Sequence, residues 1–139
     1  MTTYLGELNV KTEEQVSSVS LTKRLNDLLT ESNVGGTSGL VTILLPHTTA
    51  TLILNSNVAD GTTLTDIRLF IERTVPVDTP FVHRDPASDA AAHVRCLFGN
   101  NSVTLPLDDG RLALGTWQDL HLLDFDGPRD RTVRVWLSS

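Results

Sequence analysis

The chain contains a single cysteine, Cys96, so it can close no disulfide within itself and can build no cysteine-based zinc cluster. That fits a reducing compartment, and a cytoplasmic location is expected. Positive charge is also in deficit: 11 lysines and arginines face 17 aspartates and glutamates, a net charge of −6. With no cationic surplus to release counterions, the balance argues against nonspecific binding to nucleic acid or to an anionic membrane. No apolar run approaches the ~20 residues that span a bilayer. The opening Met1-Thr2-Thr3-Tyr4 lacks the basic-then-apolar pattern of a secretory signal, and no glycine-rich phosphate loop occurs. Linkers, repeats and low-complexity tracts are missing too, so residues 1–139 read as one domain. Its 40% hydrophobic and 20% charged content are those of an ordinary globular protein.

What is there reads as strands mixed with helices. Tyr4–Val10 and Gln15–Ser20 form short strands around a Lys11-Thr12-Glu13-Glu14 turn. Leu21, Leu25, Leu28 and Leu29 make the apolar stripe of a helix over Thr22–Ser32, closed by Gly35-Gly36. Leu40–Leu45 and Thr51–Leu54 are buried strands. A second helix is predicted from an N-cap at Thr63 to Val75, turning Leu64, Ile67, Phe70 and Ile71 inward, and Pro76 stops it. A third runs from Asp89 to Phe98 with Ser88 as N-cap and Gly99 beyond its end. Asp108-Asp109-Gly110 marks a hairpin between Val103/Leu105 and Leu112/Leu114. Trp117–Phe125 and a final strand carrying Val133, Val135 and Leu137 on one face complete the chain, with Arg129, Arg131 and Arg134 read as a solvated face. Such a pattern, without regular strand–helix alternation, defines an α+β, mostly antiparallel fold. Cys96, in an apolar helical run, reads as a small hydrophobe rather than a nucleophile.

Chemistry concentrates on histidine. His47 follows a buried strand beside the hydroxyls of Thr48 and Thr49, His83 precedes the acidic loop Asp85–Asp89, and His93 sits on the third helix, near its N-terminal end. Imidazole is the usual ligand of zinc-like metals and titrates nearest neutral pH, so three converging rings would make an open metal site or an acid–base centre. Each also has a plainer reading as a loop or helix residue bonded locally. His121, between Leu120 and Leu122, is expected to face solvent. Asp66 would fall at the third position of the second helix, where the helix N-terminus stabilises a carboxylate without any catalysis. Asn55 ends a strand, where asparagine commonly satisfies turn amides. In Gly115-Thr116-Trp117-Gln118 successive strand positions face opposite ways; Trp117 is expected to pack and Gln118 to face a pocket.

Taken in order, His47-Thr48-Thr49-Ala50, Asn55, Asp66, Val75-Pro76, His83, Ala92-His93, Gly110 to Gln118 and Asp126-Gly127-Pro128-Arg129 closely resemble the secondary thiamine-phosphate synthase family, the YjbQ-like proteins. The resemblance implies a barrel-like β portion, a homotrimer, and a pocket in which His47, His83 and His93 hold a divalent metal, zinc before magnesium or manganese. It further implies catalytic positions at Asn55, Asp66 and Gln118, ligand-binding positions at Arg95, Thr48 and Thr49, and a small, phosphate-bearing substrate. Asp66, Asp85 and Asp89 are placed to orient imidazole N–H groups. The implied activity is a secondary one, attack of a thiazole phosphate nitrogen on a pyrimidine-methyl diphosphate with loss of pyrophosphate. The family commonly has Asn-Glu-Asn where this chain has Asn55-Ser56-Asn57, and Pro86-Ala87 replace a glycine-containing acidic segment. A metal-dependent hydrolase and a non-enzymatic metal- or ligand-binding trimer are the alternatives.

Overall fold

The last strand shows how the sequence becomes sheet. In Asp130–Ser138 (β8), Val133, Val135 and Leu137 turn into the core while Thr132, Arg134 and Trp136 alternate with them, the period of a strand buried on one face. The computed structural model describes every residue except Asp85, and only the backbone of Ala87 and Ser88. In it β8 lies between Thr2–Lys11 (β1) and Gly39–Leu44 (β3); β3 then pairs with Ser102–Asp108 (β5), which returns as Arg111–Leu112 (β6). A second sheet centres on Gln118–Asp124 (β7), flanked by Ser17–Ser20 (β2) and Ala50–Ser56 (β4). All these pairings are antiparallel. The sheets meet where Asn100 exchanges backbone hydrogen bonds with Leu52, at 2.8 and 2.9 Å, and Leu45 donates to the Asn101 carbonyl at 2.7 Å. The outcome is one α+β domain, a curled antiparallel half-barrel carrying three helices, as expected. The Asp108–Gly110 hairpin is also found: Asp109 and Gly110 have φ of 47° and 78°, the left-handed pair that a tight hairpin turn requires.

The first helix, Thr22–Glu31 (α1), packs Leu21, Leu25 and Leu29 completely out of solvent, each worth about 1.5–3 kcal/mol of burial. Its start is held from β7: the Asp119 carboxylate accepts the Thr22 N–H at 3.3 Å and the hydroxyls of Ser20 and Thr22, putting negative charge at the positive end of the helix. The second helix, Thr62–Thr74 (α2), ends before Pro76 as predicted but begins after Gly61, not at a Thr63 cap. Asp60 accepts the Thr62 N–H at 3.0 Å instead, so Asp66 lies beyond the first turn. Leu64 and Ile71 are buried, whereas Phe70 is 60% exposed and does not turn inward.

The third helix, Ala87–Arg95 (α3), starts with Pro86 at the cap position rather than Ser88, and Cys96–Phe98 form a separate 3-10 turn. His93 therefore stands in the last turn of α3, not near its beginning. Ala90, Ala91 and Ala92 are buried, and their small side chains let the helix lie close against the sheet. At Gly99 a Cβ would come within 2.3 Å of Thr51 Oγ1 and 2.8 Å of the Leu52 carbonyl, so only glycine lets this turn cross β4. No helix among the described residues is long and apolar enough to cross a membrane.

Three residues face differently from the sequence expectation. β7 has core on both sides, Leu120 and Leu122 against one and Leu123 with Phe125 against the other. His121 is consequently buried, its Nε2 2.8 Å from the Ser56 carbonyl, rather than facing solvent. Arg131 shares the parity of Val133 and Val135 and is 3% exposed, not part of a solvated face. Trp117 precedes β7, which opens at Gln118, and it is 74% exposed. Trp117→Ala should therefore change the stability read by urea unfolding by no more than about 0.5 kcal/mol. A loss of several kcal/mol would return Trp117 to the core.

Candidate metal centre

α3 and the loop before it bring His83, Asp89 and His93 together, with one ligand atom from each lying within 4.8 Å of the others. Asp89 and His93 are four residues apart on α3 and so share a helix face. Asp89 Oδ2 lies 2.9 Å from His83 Nε2 and 3.2 Å from His93 Nε2. The two imidazole rings are 5.8 Å apart and tilted by 62°. All three groups reach solvent, the side chains of His83 and His93 being 54% and 40% exposed.

The hydrogen bonding around His93 is informative. Its Nδ1 lies 3.2 Å from the Thr48 carbonyl, which can only accept, so Nδ1 carries a hydrogen. A neutral ring then presents a lone pair at Nε2, yet Nε2 faces the carboxylate of Asp89. Hydrogen bonding from His83 holds that carboxyl below its usual range. Two acceptors on one imidazole are satisfied by a second ring proton or by a cation between nitrogen and oxygen. The separations of 2.9 and 3.2 Å are those of direct hydrogen bonds, and a cation ligated at about 2.0–2.1 Å would need these atoms to move slightly apart. The Thr48 carbonyl is then the outer partner that fixes the tautomer and the direction of the ring.

His47 stands outside this group. Its Nε2 accepts the Thr132 N–H at 2.9 Å, and Asn101 donates to its carbonyl at 3.0 Å. Burial first, and then the charge of Arg131, push its pKa below the ordinary 6.5. The unfolded chain therefore takes up this proton before the folded one does. Stability from His47 is complete above about pH 6.5 and is lost as pH falls from there through the folded value. His47→Gln keeps an acceptor for Thr132 and does not titrate. Its unfolding midpoint should fall less than the wild type's between neutral and mildly acidic pH, and parallel curves would remove His47 as the cause.

Beneath the loop that carries Thr48 lies a buried ion pair. Arg131 Nη2 donates to Asp124 Oδ1 at 2.6 Å and to Thr49 Oγ1 at 2.9 Å, while its Nε donates to Asp124 Oδ2 at 3.0 Å. Thr12 Oγ1 and the Asp126 N–H complete the carboxylate, at 2.7 and 2.9 Å. Burial alone would raise the Asp124 pKa, but Arg131, Asp126 and Thr12 together outweigh it and bring it below the ordinary range. Thr49 thus ties the His47–Ala50 segment, and with it the Thr48 carbonyl, to a rigid core.

The remaining candidate residues lie elsewhere. Asn55 and Asp66 line a cleft of about 340 Å3 between β4 and α2. Gln118 lines a separate polar hollow of about 430 Å3 with Lys23, Asn57 and Arg111, and its Oε1 accepts the Gly115 N–H at 2.9 Å. Arg95 is buried, donates from Nε to the Val75 carbonyl at 2.9 Å and lies over the Phe125 ring, so it staples α3 to the end of α2. Burial pushes the Cys96 thiol up to about 12, in keeping with an inert small hydrophobe. Asp85 lies outside the described residues. Asp89, expected only as an orienting carboxylate, is the residue both imidazoles share; its four-residue spacing from His93 was the available signal.

A small α+β half-barrel presenting a histidine–aspartate group from one helix and its leading loop is thereby defined. The chain belongs to the YjbQ-like UPF0047 family, whose model matches residues 6–139. A UPF0047 protein of Archaeoglobus fulgidus is 39% identical over 129 residues, covering 93% of this chain and 97% of that protein. YugU of Bacillus subtilis is 33% identical, covering 94% and 96%. Among solved structures, a hypothetical protein of Aeropyrum pernix superposes with a TM-score of 0.86 at 34% identity, covering 100% of this chain and 99% of that one. A YjbQ/UPF0047 protein of Clostridium acetobutylicum does so with a TM-score of 0.84 at 31% identity, covering 93% and 96%.

Proposed function

We propose that this YjbQ-like protein is a metalloprotein in which His83, Asp89 and His93 hold one divalent cation. The reading is carried by His93, whose two nitrogens both face acceptors, Thr48 and an ionised Asp89. Two imidazoles and one carboxylate favour zinc, or a similar transition metal, over magnesium or manganese. Because imidazole must be deprotonated to ligate, affinity falls on acidification. A cation held there supplies positive charge against a phosphate or pyrophosphate group of the substrate.

A hollow of about 300 Å3 beside His83, lined by Thr79, Phe81 and Arg84, supports a small phosphate-bearing substrate: the guanidinium meets the anion and the ring covers the apolar part. The motif resemblance supports thiamine-phosphate synthase chemistry, in which a C–N bond forms to the thiazole nitrogen and the C–O bond to pyrophosphate breaks. The open, solvent-facing histidines favour a second reading, hydrolysis of the same kind of substrate. Incubation with a pyrimidine-methyl diphosphate, with and without the thiazole phosphate, separates them. Thiamine phosphate formed only with both supports the synthase, free pyrimidine alcohol with either supports the hydrolase, and no product leaves a metal-binding protein without this chemistry. A homotrimer is proposed as well, supported by the resemblance and by apolar side chains left in solvent at Val82 and Leu97, 98% and 81% exposed.

A further inference from the structure

We propose that the cleft between β4 and α2 binds a small organic cation with a flat apolar body. Two aromatic side chains form one wall: Phe70 and Phe98 meet edge to face at 5.9 Å and 87°, yet stay 60% and 46% exposed. Aromatic surface left paired but uncovered offers a flat ring both stacking area and a negative π-face. The floor is aliphatic, from Ile53, Ile67 and Ile71. At about 340 Å3 the cleft is at the small end of the range for ligand pockets, enough for a single substituted ring.

The polar groups set the sign of the ligand's charge. Asp66 is the one ionisable residue among those lining the cleft, and it enters none of the ion pairs formed among the described residues. A carboxylate beside apolar walls, with no counter-charge, selects a cation and rejects an anion. Asn55 adds a second polar contact: its Oδ1 accepts the Ser56 N–H at 2.8 Å, which fixes the direction of the amide and leaves a further lone pair for an N–H donor. A ring bearing an amidinium or ammonium group meets all of these requirements. His83, Asp89 and His93 take no part in lining the cleft, so the proposal stands whether or not the metal centre does.

The test uses benzamidine, with benzamide and benzoate as neutral and anionic counterparts of similar shape, added to the isotopically labelled full chain and followed by backbone amide shifts. Benzamidine should saturate shifts centred on Ile53, Asn55, Asp66, Phe70 and Phe98. It should bind about two- to fivefold tighter than benzamide, the effect of one partly screened charge pair, and benzoate should not bind. Asp66 is exposed on a helix surface, so Asp66→Asn should fold with an unchanged melting curve and lose the preference for benzamidine while keeping benzamide. Equal binding of the three probes, shifts centred elsewhere, or no saturation at millimolar concentration overturns the proposal. So do shifts at these residues that follow protein concentration rather than probe, since a second copy of the chain would then cover the cleft.

Discussion

Arg131→Ala should cost the fold about 3–5 kcal/mol, the range for removing one partner of a buried ion pair. Asp124 is fully buried and depends on Arg131 for two of its hydrogen bonds; without the guanidinium it would remain as an uncompensated charge. Against a total stability of about 5–15 kcal/mol for a domain of this kind, that loss brings unfolding near ambient temperature. Replacing both partners by apolar residues, Arg131→Met with Asp124→Leu, should recover much of it, because the cost lies in the orphaned charge more than in the bond. Since the folded pKa of Asp124 is depressed, the pair's contribution is complete above the ordinary 3.8 and is lost as acid takes the pH through the lower folded value. Urea unfolding of the single and double variants measures both effects. A single variant as stable as the wild type would mean that solvent reaches Asp124.

The second large effect tests the proposed cation site. Asp89→Ala and His93→Ala should each abolish stoichiometric zinc binding, because each removes one of the three proposed ligands. Thr49→Val should weaken it more mildly, within the roughly 10–100-fold that an outer partner contributes, since Thr49 anchors the segment whose carbonyl directs His93. His47→Gln should leave zinc binding nearly intact, because Nε2 of His47 is already engaged by Thr132. Competition with a chromogenic chelator ranks the variants. Loss in His47→Gln with retention in Asp89→Ala would restore the three-histidine set and exclude the arrangement described above.

Local signals in the sequence were reliable where burial was one-sided and spacing regular. The leucine stripe of α1, the Asp109-Gly110 hairpin and the Pro76 stop all appear where composition places them. Face assignments failed where tertiary cover decides. His121 alternates like a solvent-facing residue, but a second layer of α2 and α3 closes over that side of β7. Arg131 was in phase with Val133 all along; only a partner as distant in kind as Asp124 makes that position tenable for a charge. Trp117 shows how a strand that starts one residue later undoes a facing argument.

The site divides in the same way. Asp89 and His93 could be paired from helix spacing alone, but that His83 folds back onto them is a property of the loop. That His47 is captured by a backbone amide 85 residues away is a property of the sheet, invisible to any local motif. Asn55 and Asp66 share a cleft because β4 and α2 pack together, and that packing carries them away from the histidines with which the motif order groups them.

The metal centre is tested most directly by element-resolved analysis of the untagged wild-type chain after dialysis against trace zinc near neutral pH. About one zinc ion per chain, retained by the wild type and absent from His93→Ala, is the expected result for a site with three protein ligands. Wild-type protein that retains no zinc would contradict it, and the Asp89–His93 contact would then be a hydrogen bond only.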